Sequence, residues 1–180
     1  MTRGDAVIAN SHYTREHILE RYQIEPQRIS VIPRGVDLSV FDRARVKQSD
    51  VEITRADWGL AAKDARCVVI APARLTRWKG QLVLIEAVKL IEARRPGALK
   101  VILAGDPQGR QGYVAELKQA IDGAGLGEVV FLAGHLRDMP LAFAASDIAV
   151  FPVIEAEAFG RGVIEAQAMG VPVVASNLGG

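Results

Sequence analysis

A chain of 180 residues with 49% hydrophobic content is long enough to bury a core, and 22 basic against 21 acidic residues leave a formal net charge of +1, without the basic field of a nucleic-acid binder. The single Cys67 excludes an internal disulfide or a cysteine-built metal site, and within CVVIA it reads as a small core residue that fits a reducing compartment. No run approaches the roughly 18 apolar residues of a membrane span, and the start, MTRGDAVIANSH, lacks the apolar region of a signal peptide, so the expected location is the cytoplasm.

Along the chain, short Val- and Ile-rich runs alternate with longer amphipathic segments, the pattern of parallel strands covered by helices on both faces. Strands are predicted in DAVIAN (5–10), RISVIP (28–33), CVVIAPA (67–73), LKVILAG (99–105), EVVFLAG (128–134), DIAVFPV (147–153) and PVVAS (172–176). Helices are predicted in TREHILERYQ (14–23), KGQLVLIEAVKLIEARR (79–95), GYVAELKQAIDGAG (112–125), MPLAFAAS (139–146) and RGVIEAQAMG (161–170). Pro96 and Gly97 stop the second helix and Gly123 to Gly127 the third. The fold class is α/β: a doubly wound, mainly parallel Rossmann-like sheet. Residues 42–64, polar and charged around Trp58, break the rhythm and are expected to form a surface excursion at a boundary. Residues 5–23 are expected to lie in a different layer or domain from the regular array that begins near Ala65. PVVASNLGG ends a strand with no closing helix after it, as in a piece of something longer.

Ligands of open α/β sheets bind at the carboxyl ends of the strands, so the loops there carry the candidates. In APARLTRWKG, Arg74 follows a strand and Lys79 stands at a helix start, where a cation opposes the macrodipole and a bound phosphate would resolve the conflict. Two solvated surface charges are the other reading. In EAFGRG, Gly160 and Gly162 allow a ligand to approach the unpaired amides of a helix start. Glu157 before that turn can accept from sugar hydroxyls or cap the helix. Glu165 lies four residues after Arg161, which an i,i+4 ion pair would also explain. Gly35 in VIPRGVD and Gly134 in FLAGHLRDMP suggest special backbone geometry, and His135 can line a pocket or serve as an ordinary loop residue. The signatures of P-loop, Rossmann dinucleotide, α/β-hydrolase and zincin sites are absent. Glu155 and Glu157, on one face of an extended strand, would be a weak metal pair without further ligands.

Together VIPRGVDLSVF, ARLTRWKGQLVLIEAV, VILAGDPQGR, VVFLAGHLRDMPLAFAASDIAVFP and EAFGRGVIEAQAMGVPVVAS resemble the group 1 glycosyltransferases, a retaining family with the GT-B fold. The resemblance covers almost the whole chain in order, and its most specific elements are R-L-x-x-x-K-G (Arg74, Lys79) and E-x7-E (Glu157, Glu165). It implies that residues 65–180 are the Rossmann-like half that binds a nucleotide diphosphate sugar, truncated at its C-terminal end. Residues 1–41 would close an acceptor-binding N-terminal domain and link into the second. The resemblance further implies that Arg74 and Lys79 bind the diphosphate, Glu157 the donor-sugar hydroxyls and Glu165 the ribose. Ala158, Phe159, Gly160, Arg161, Gly162 and Val163 would lie along sugar and phosphates through backbone groups, Leu136 near the base, and Gly35 in the same donor-binding set. Arg74, Lys79 and Glu157 would be the catalytic residues, with no cofactor and no metal, because fixed cations and helix N-termini stabilise the departing diphosphate.

Two positions depart from the family pattern: Ala158 replaces a commoner glycine and Arg161 a commoner aliphatic residue. Arg161 would add a phosphate contact, reject some donors, or pair with Glu165. The expected function is donor binding in sugar transfer for polysaccharide or glycolipid synthesis, with the missing acceptor domain as partner and peripheral membrane association of the full-length enzyme. A non-catalytic nucleotide- or sugar-binding module on the same fold is the alternative. A receiver-type domain is disfavoured, since its strand ends require an acidic cluster where Arg74 and Lys79 stand.

Overall fold

A computed structural model of the chain describes residues 4–180. The first unit is β1 (Val7–Ala9), α1 (His12–Arg21) and β2 (Ile29–Val31), in which the two strands pair parallel with each other, Ile8 opposite Ser30, and, among the described residues, with no other strand. Its small core is Ala9, Ile18 and Ile29. Ser11 caps α1, accepting from the Thr14 amide at 3.1 Å, as serine does where a helix leaves its first amides unpaired.

The larger unit runs α2 (Gln48–Asp57), β3 (Cys67–Pro72), α3 (Gln81–Arg94), β4 (Leu99–Ala104), α4 (Gln111–Gly123), β5 (Val130–Gly134), α5 (Met139–Ala144), β6 (Ile148–Phe151), α6 (Arg161–Ala168) and β7 (Val173–Ala175). All five strands of its sheet are parallel, in the order β5-β4-β3-β6-β7. The chain starts at β3, steps outward twice, then crosses back to β6 on the other side. That reversal between β3 and β6 is a topological switch point, where such sheets open a crevice.

Period-two side-chain alternation explains the continuous apolar runs of the strands. Val69, Ala71, Val101 and Leu103 face α3 and α4, packing with Leu84, Ile85, Val88, Tyr113, Leu117 and Ile121. Val68, Ile70 and Ile102 face the opposite side, where α2, α5 and α6 contribute Val51, Phe143 and Ala166. Cys67 packs at the edge of the first of these cores, and burial raises its thiol pKa.

Residues 42–64 are not the polar surface excursion that their composition suggests. They contain α2, which packs on α5, and Val51, Trp58 and Leu60 are buried in the core beneath it. The Arg55 guanidinium fastens this helix, donating to the Ala145 carbonyl at 2.9 Å and to both Asp147 oxygens at 2.9 Å. Asp147 in turn accepts from the Val68 amide at 2.7 Å. A helix whose buried contacts reduce to a Val, a Trp seven residues later and an arginine fork carries too sparse an apolar stripe to be read as amphipathic. Among the described residues no helix is long and apolar enough to cross a membrane.

Candidate functional site

The loops after β3 and β6 meet at the switch point, backbone to backbone: the Ile154 amide donates to the Trp78 carbonyl at 3.0 Å. Behind the first loop, Gln81 is buried and its Nε2 donates to the Arg74 carbonyl at 2.9 Å, while the Tyr113 hydroxyl donates to Gln81 Oε1 at 3.1 Å. A satisfied amide thus fixes the backbone from which the exposed Arg74 side chain projects. The Arg74 guanidinium carbon lies 5.9 Å from the centroid of the Trp78 ring.

Lys79 sits in a short 3-10 turn just before α3 rather than in the helix itself. Its ammonium lies 4.0 Å from the Trp78 ring centroid and forms an ion pair with Glu157 of the β6 loop. The side chains are 15% and 25% exposed, so this pair is better shielded than the other cross-loop bridges. The electrostatic conflict of a cation at a helix start is therefore answered within the protein by a carboxylate 78 residues away. Glu157 does not cap α6. The N-cap is Gly160, at φ +73, with no side-chain cap bond.

Glu165 faces inward from α6 with its side chain 16% exposed, and Arg161 Nε donates to its Oε1 at 2.9 Å. Burial pushes the Glu165 carboxyl above its ordinary range, partly offset by the Arg161 charge and hydrogen bond. A raised carboxylate favours the folded state when protonated, so its contribution is fully present below the unfolded value of about 4.3 and lost as pH rises through the folded value. Glu165→Gln is accordingly expected to raise the melting temperature of the ligand-free chain at pH 7 by about 2 °C and to flatten its loss of stability above pH 4. Calorimetric melts across that range measure it, and a lower melting temperature at pH 7 would mean that the Arg161 pair outweighs the burial.

A cavity of about 400 Å³ opens at the carboxyl ends of β3 and β4, lined by Arg74, His135, Leu136, Arg161, Gly162 and Glu165 among others. A second, of about 260 Å³, lies against the other side of the α6 start and is lined by Glu157, Phe159, Gly160 and Val163. Ala158, between them in sequence, is exposed and lines neither, and Lys79 joins the group through Glu157. Gly35 is brought to neither cavity: it is exposed, its φ is not positive, and nothing stands within 4 Å of where a Cβ would be. Gly134 does adopt a left-handed φ of +68. Glu155 lies in an exposed bend beyond β6, not on an extended strand with Glu157. Among the described residues no group of three metal-ligating side chains converges. Sequence reasoning passed over Gln81 and Tyr113. A glutamine two positions after the lysine, at a site otherwise packed with Leu and Val, was the available signal.

An arginine and lysine after the first strand of a switch-point sheet, facing a carboxylate-bearing loop and helix across the crevice, are the arrangement of an α/β domain with its site at the strand ends. Residues 66–180 match the family Glycosyl transferases group 1, and residues 1–40 match Glycosyltransferase Family 4. The chain belongs to the group 1 glycosyltransferases. It is 34% identical over 177 residues to the D-inositol 3-phosphate glycosyltransferase of Arthrobacter sp. (strain FB24), a match covering 97% of this chain and 40% of that protein. The enzyme of the same name from Rhodococcus opacus (strain B4) is 32% identical, with 100% of this chain and 40% of the relative covered. The chain thus spans about 40% of the length of the curated relatives it matches. Among solved structures, a glycosyltransferase from Rickettsia africae ESF-5 superposes with a TM-score of 0.91 at 32% identity, covering 99% of this chain and 46% of that one. Anabaena HepE, crystallised with UDP and glucose, gives 0.87 at 33% identity, over 98% of this chain and 46% of HepE.

Proposed function

We propose that this chain forms the donor-binding part of a retaining glycosyltransferase that moves a sugar from a nucleotide diphosphate sugar to an acceptor. The observation that carries the reading is the convergence of Arg74, Arg161 and Glu165 on one cavity at the switch point, with the Lys79–Glu157 pair beside it. HepE, similar over nearly all of this chain, binds UDP, glucose and UDP-glucose, which supports the donor class. In this reading Arg74, Lys79 and the amides at the start of α6 take up the charge that develops on the departing diphosphate, with no metal in the step. Glu157 accepts from donor-sugar hydroxyls, and Glu165 from the ribose. Leu136 lies against the base.

We place the acceptor on residues outside these 180, in an N-terminal domain whose end is residues 1–41. Residues 42–64 go with 65–180, because α2 packs on α5. Transfer in polysaccharide or glycolipid synthesis on the cytoplasmic side, with peripheral membrane association of the full-length enzyme, completes the proposal.

Thermal shift and calorimetry test it with UDP-, GDP- and ADP-sugars, their diphosphates and their nucleosides. One set is expected to raise the melting temperature by about 5–10 °C at a hundredfold excess over Kd. Arg74→Ala should weaken the diphosphate about tenfold and leave the nucleoside unchanged. Equal losses for both would overturn the phosphate assignment, and stabilisation by none of the donors would overturn the function.

A further inference from the structure

The first β/α unit touches the Glu157–Gly160 loop at one polar point. Ser11 is 8% exposed, and besides accepting from the Thr14 amide its hydroxyl donates to the Ala158 carbonyl at 2.6 Å, across 147 residues of sequence. Capping α1 needs only an acceptor, and aspartate or asparagine would serve as well. The hydroxyl proton is surplus to the cap, and of the two acceptors in its reach, Thr14 Oγ1 at 3.0 Å and the Ala158 carbonyl at 2.6 Å, the carbonyl is the nearer. Thr14 supports the same contact, its hydroxyl 2.8 Å from Asn10 Oδ1 and 3.3 Å from the Ala158 carbonyl.

The consequence follows from the planarity of the trans peptide, in which carbonyl and following N–H point in opposite directions. Ser11 draws the Ala158 carbonyl toward α1 and so turns the Phe159 amide the other way. That amide has no hydrogen-bond partner among the described residues, and Phe159 lines the same cavity as Glu157. Glu157 itself is fixed on the strand side, its amide donating to the Leu178 carbonyl at 3.2 Å and its carbonyl accepting from the Gly180 amide at 2.9 Å. The start of the loop is therefore held from two sides, at Glu157 and at Ala158, and one hold comes from the other unit.

We propose that Ser11 is a positioning residue for the sugar end of the donor: through Ala158 it orients the Phe159 amide toward a donor-sugar oxygen and keeps Glu157 in place to receive the sugar hydroxyls. The inference rests on the donor-binding reading of that loop given above. It makes the orientation of the first unit part of the sugar subsite, while the nucleotide end, built on Arg74 and Glu165, does not depend on it.

The test compares Ser11→Gly, Ser11→Thr and the unaltered chain by calorimetry with UDP, GDP and ADP and the matching glucose nucleotides, alongside thermal melts. Glycine is tolerated at N-caps nearly as well as serine, so Ser11→Gly removes the donation and spares the helix. Ser11→Gly is expected to weaken the nucleotide sugar about five- to tenfold while changing the diphosphate less than twofold, and Ser11→Thr to restore the sugar-dependent part. Should Ser11→Gly fold poorly, Ser11→Ala, which likewise removes the donation and adds no charge beside the loop, gives the same comparison. Equal weakening of both ligands, or of neither, overturns the positioning role. Failure of every diphosphate to bind the unaltered chain instead overturns the donor-site reading beneath it.

Discussion

Gly80→Ala is expected to cost about 3–5 kcal/mol of folding free energy, a large part of what a domain of this size has, and to lower the melting temperature by about 10–20 °C. Gly80 closes the 3-10 turn and opens α3 with φ +73, a region where a Cβ alone costs about 1–2 kcal/mol. The larger part is contact, for a Cβ there would lie 1.7 Å from the Pro152 carbonyl oxygen and 2.7 Å from its carbon. Backbone cannot swing aside as a side chain can. The added methyl would force apart the loops after β3 and β6, at the place where Trp78 and Ile154 share a backbone hydrogen bond and Lys79 reaches Glu157. Gly97→Ala separates the two contributions, because Gly97 has a similar φ of +71 with nothing within 4 Å of the new atom. Urea denaturation should show a loss of only about 1 kcal/mol there. Equal losses at the two glycines would mean that the close approach at Pro152 is relieved at little cost.

The sheet was legible in the sequence because its strands are buried on both faces, so CVVIA and KVILA announce themselves without regard to partners. Helices α3 and α4 showed a sustained apolar stripe and clear stops. α2 was not legible: between Gln48 and Asp57 only Val51 is buried, and what holds the helix down is Trp58 beyond its end and the Arg55 fork on Asp147, contacts set by tertiary structure. Within the site, Arg74, Arg161 and Glu165 could be gathered because strand ends predict where loops converge, and the i,i+4 pair of Arg161 and Glu165 is a matter of spacing alone. The Lys79–Glu157 pair and the Ser11–Ala158 bond join residues far apart in the chain, and single-sequence reading offers no rule for that. Gly35 marks the opposite failure: its place in a motif suggested a role, yet the chain there runs through open, exposed backbone.

The Lys79–Glu157 pair should respond differently in stability and in binding, and that difference separates a structural bridge from a donor site. Lys79→Met leaves a carboxylate only 25% exposed without its partner, and is expected to cost about 1–3 kcal/mol, less than a fully buried pair because water still reaches both groups. Glu157→Gln should cost less, since the ammonium keeps the face of Trp78 at 4.0 Å. Combining them removes both charges, so the double variant Lys79→Met/Glu157→Gln should recover most of the stability lost in Lys79→Met. Binding should not recover. If Lys79 contributes a charge-assisted contact to the diphosphate, its loss weakens the nucleoside diphosphate by about 30- to 100-fold, and neutralising Glu157 cannot replace it. The ammonium keeps the Trp78 face when Glu157 is neutral, so Glu157→Gln alone should leave diphosphate affinity nearly unchanged and weaken only the nucleotide sugar, whose hydroxyls lose their acceptor. Urea melts and calorimetry on the four proteins give both cycles from one set of samples. Recovery of diphosphate affinity in the double variant, in step with its stability, would show that the pair serves to join two loops and that the diphosphate is held by Arg74 and the start of α6 without it.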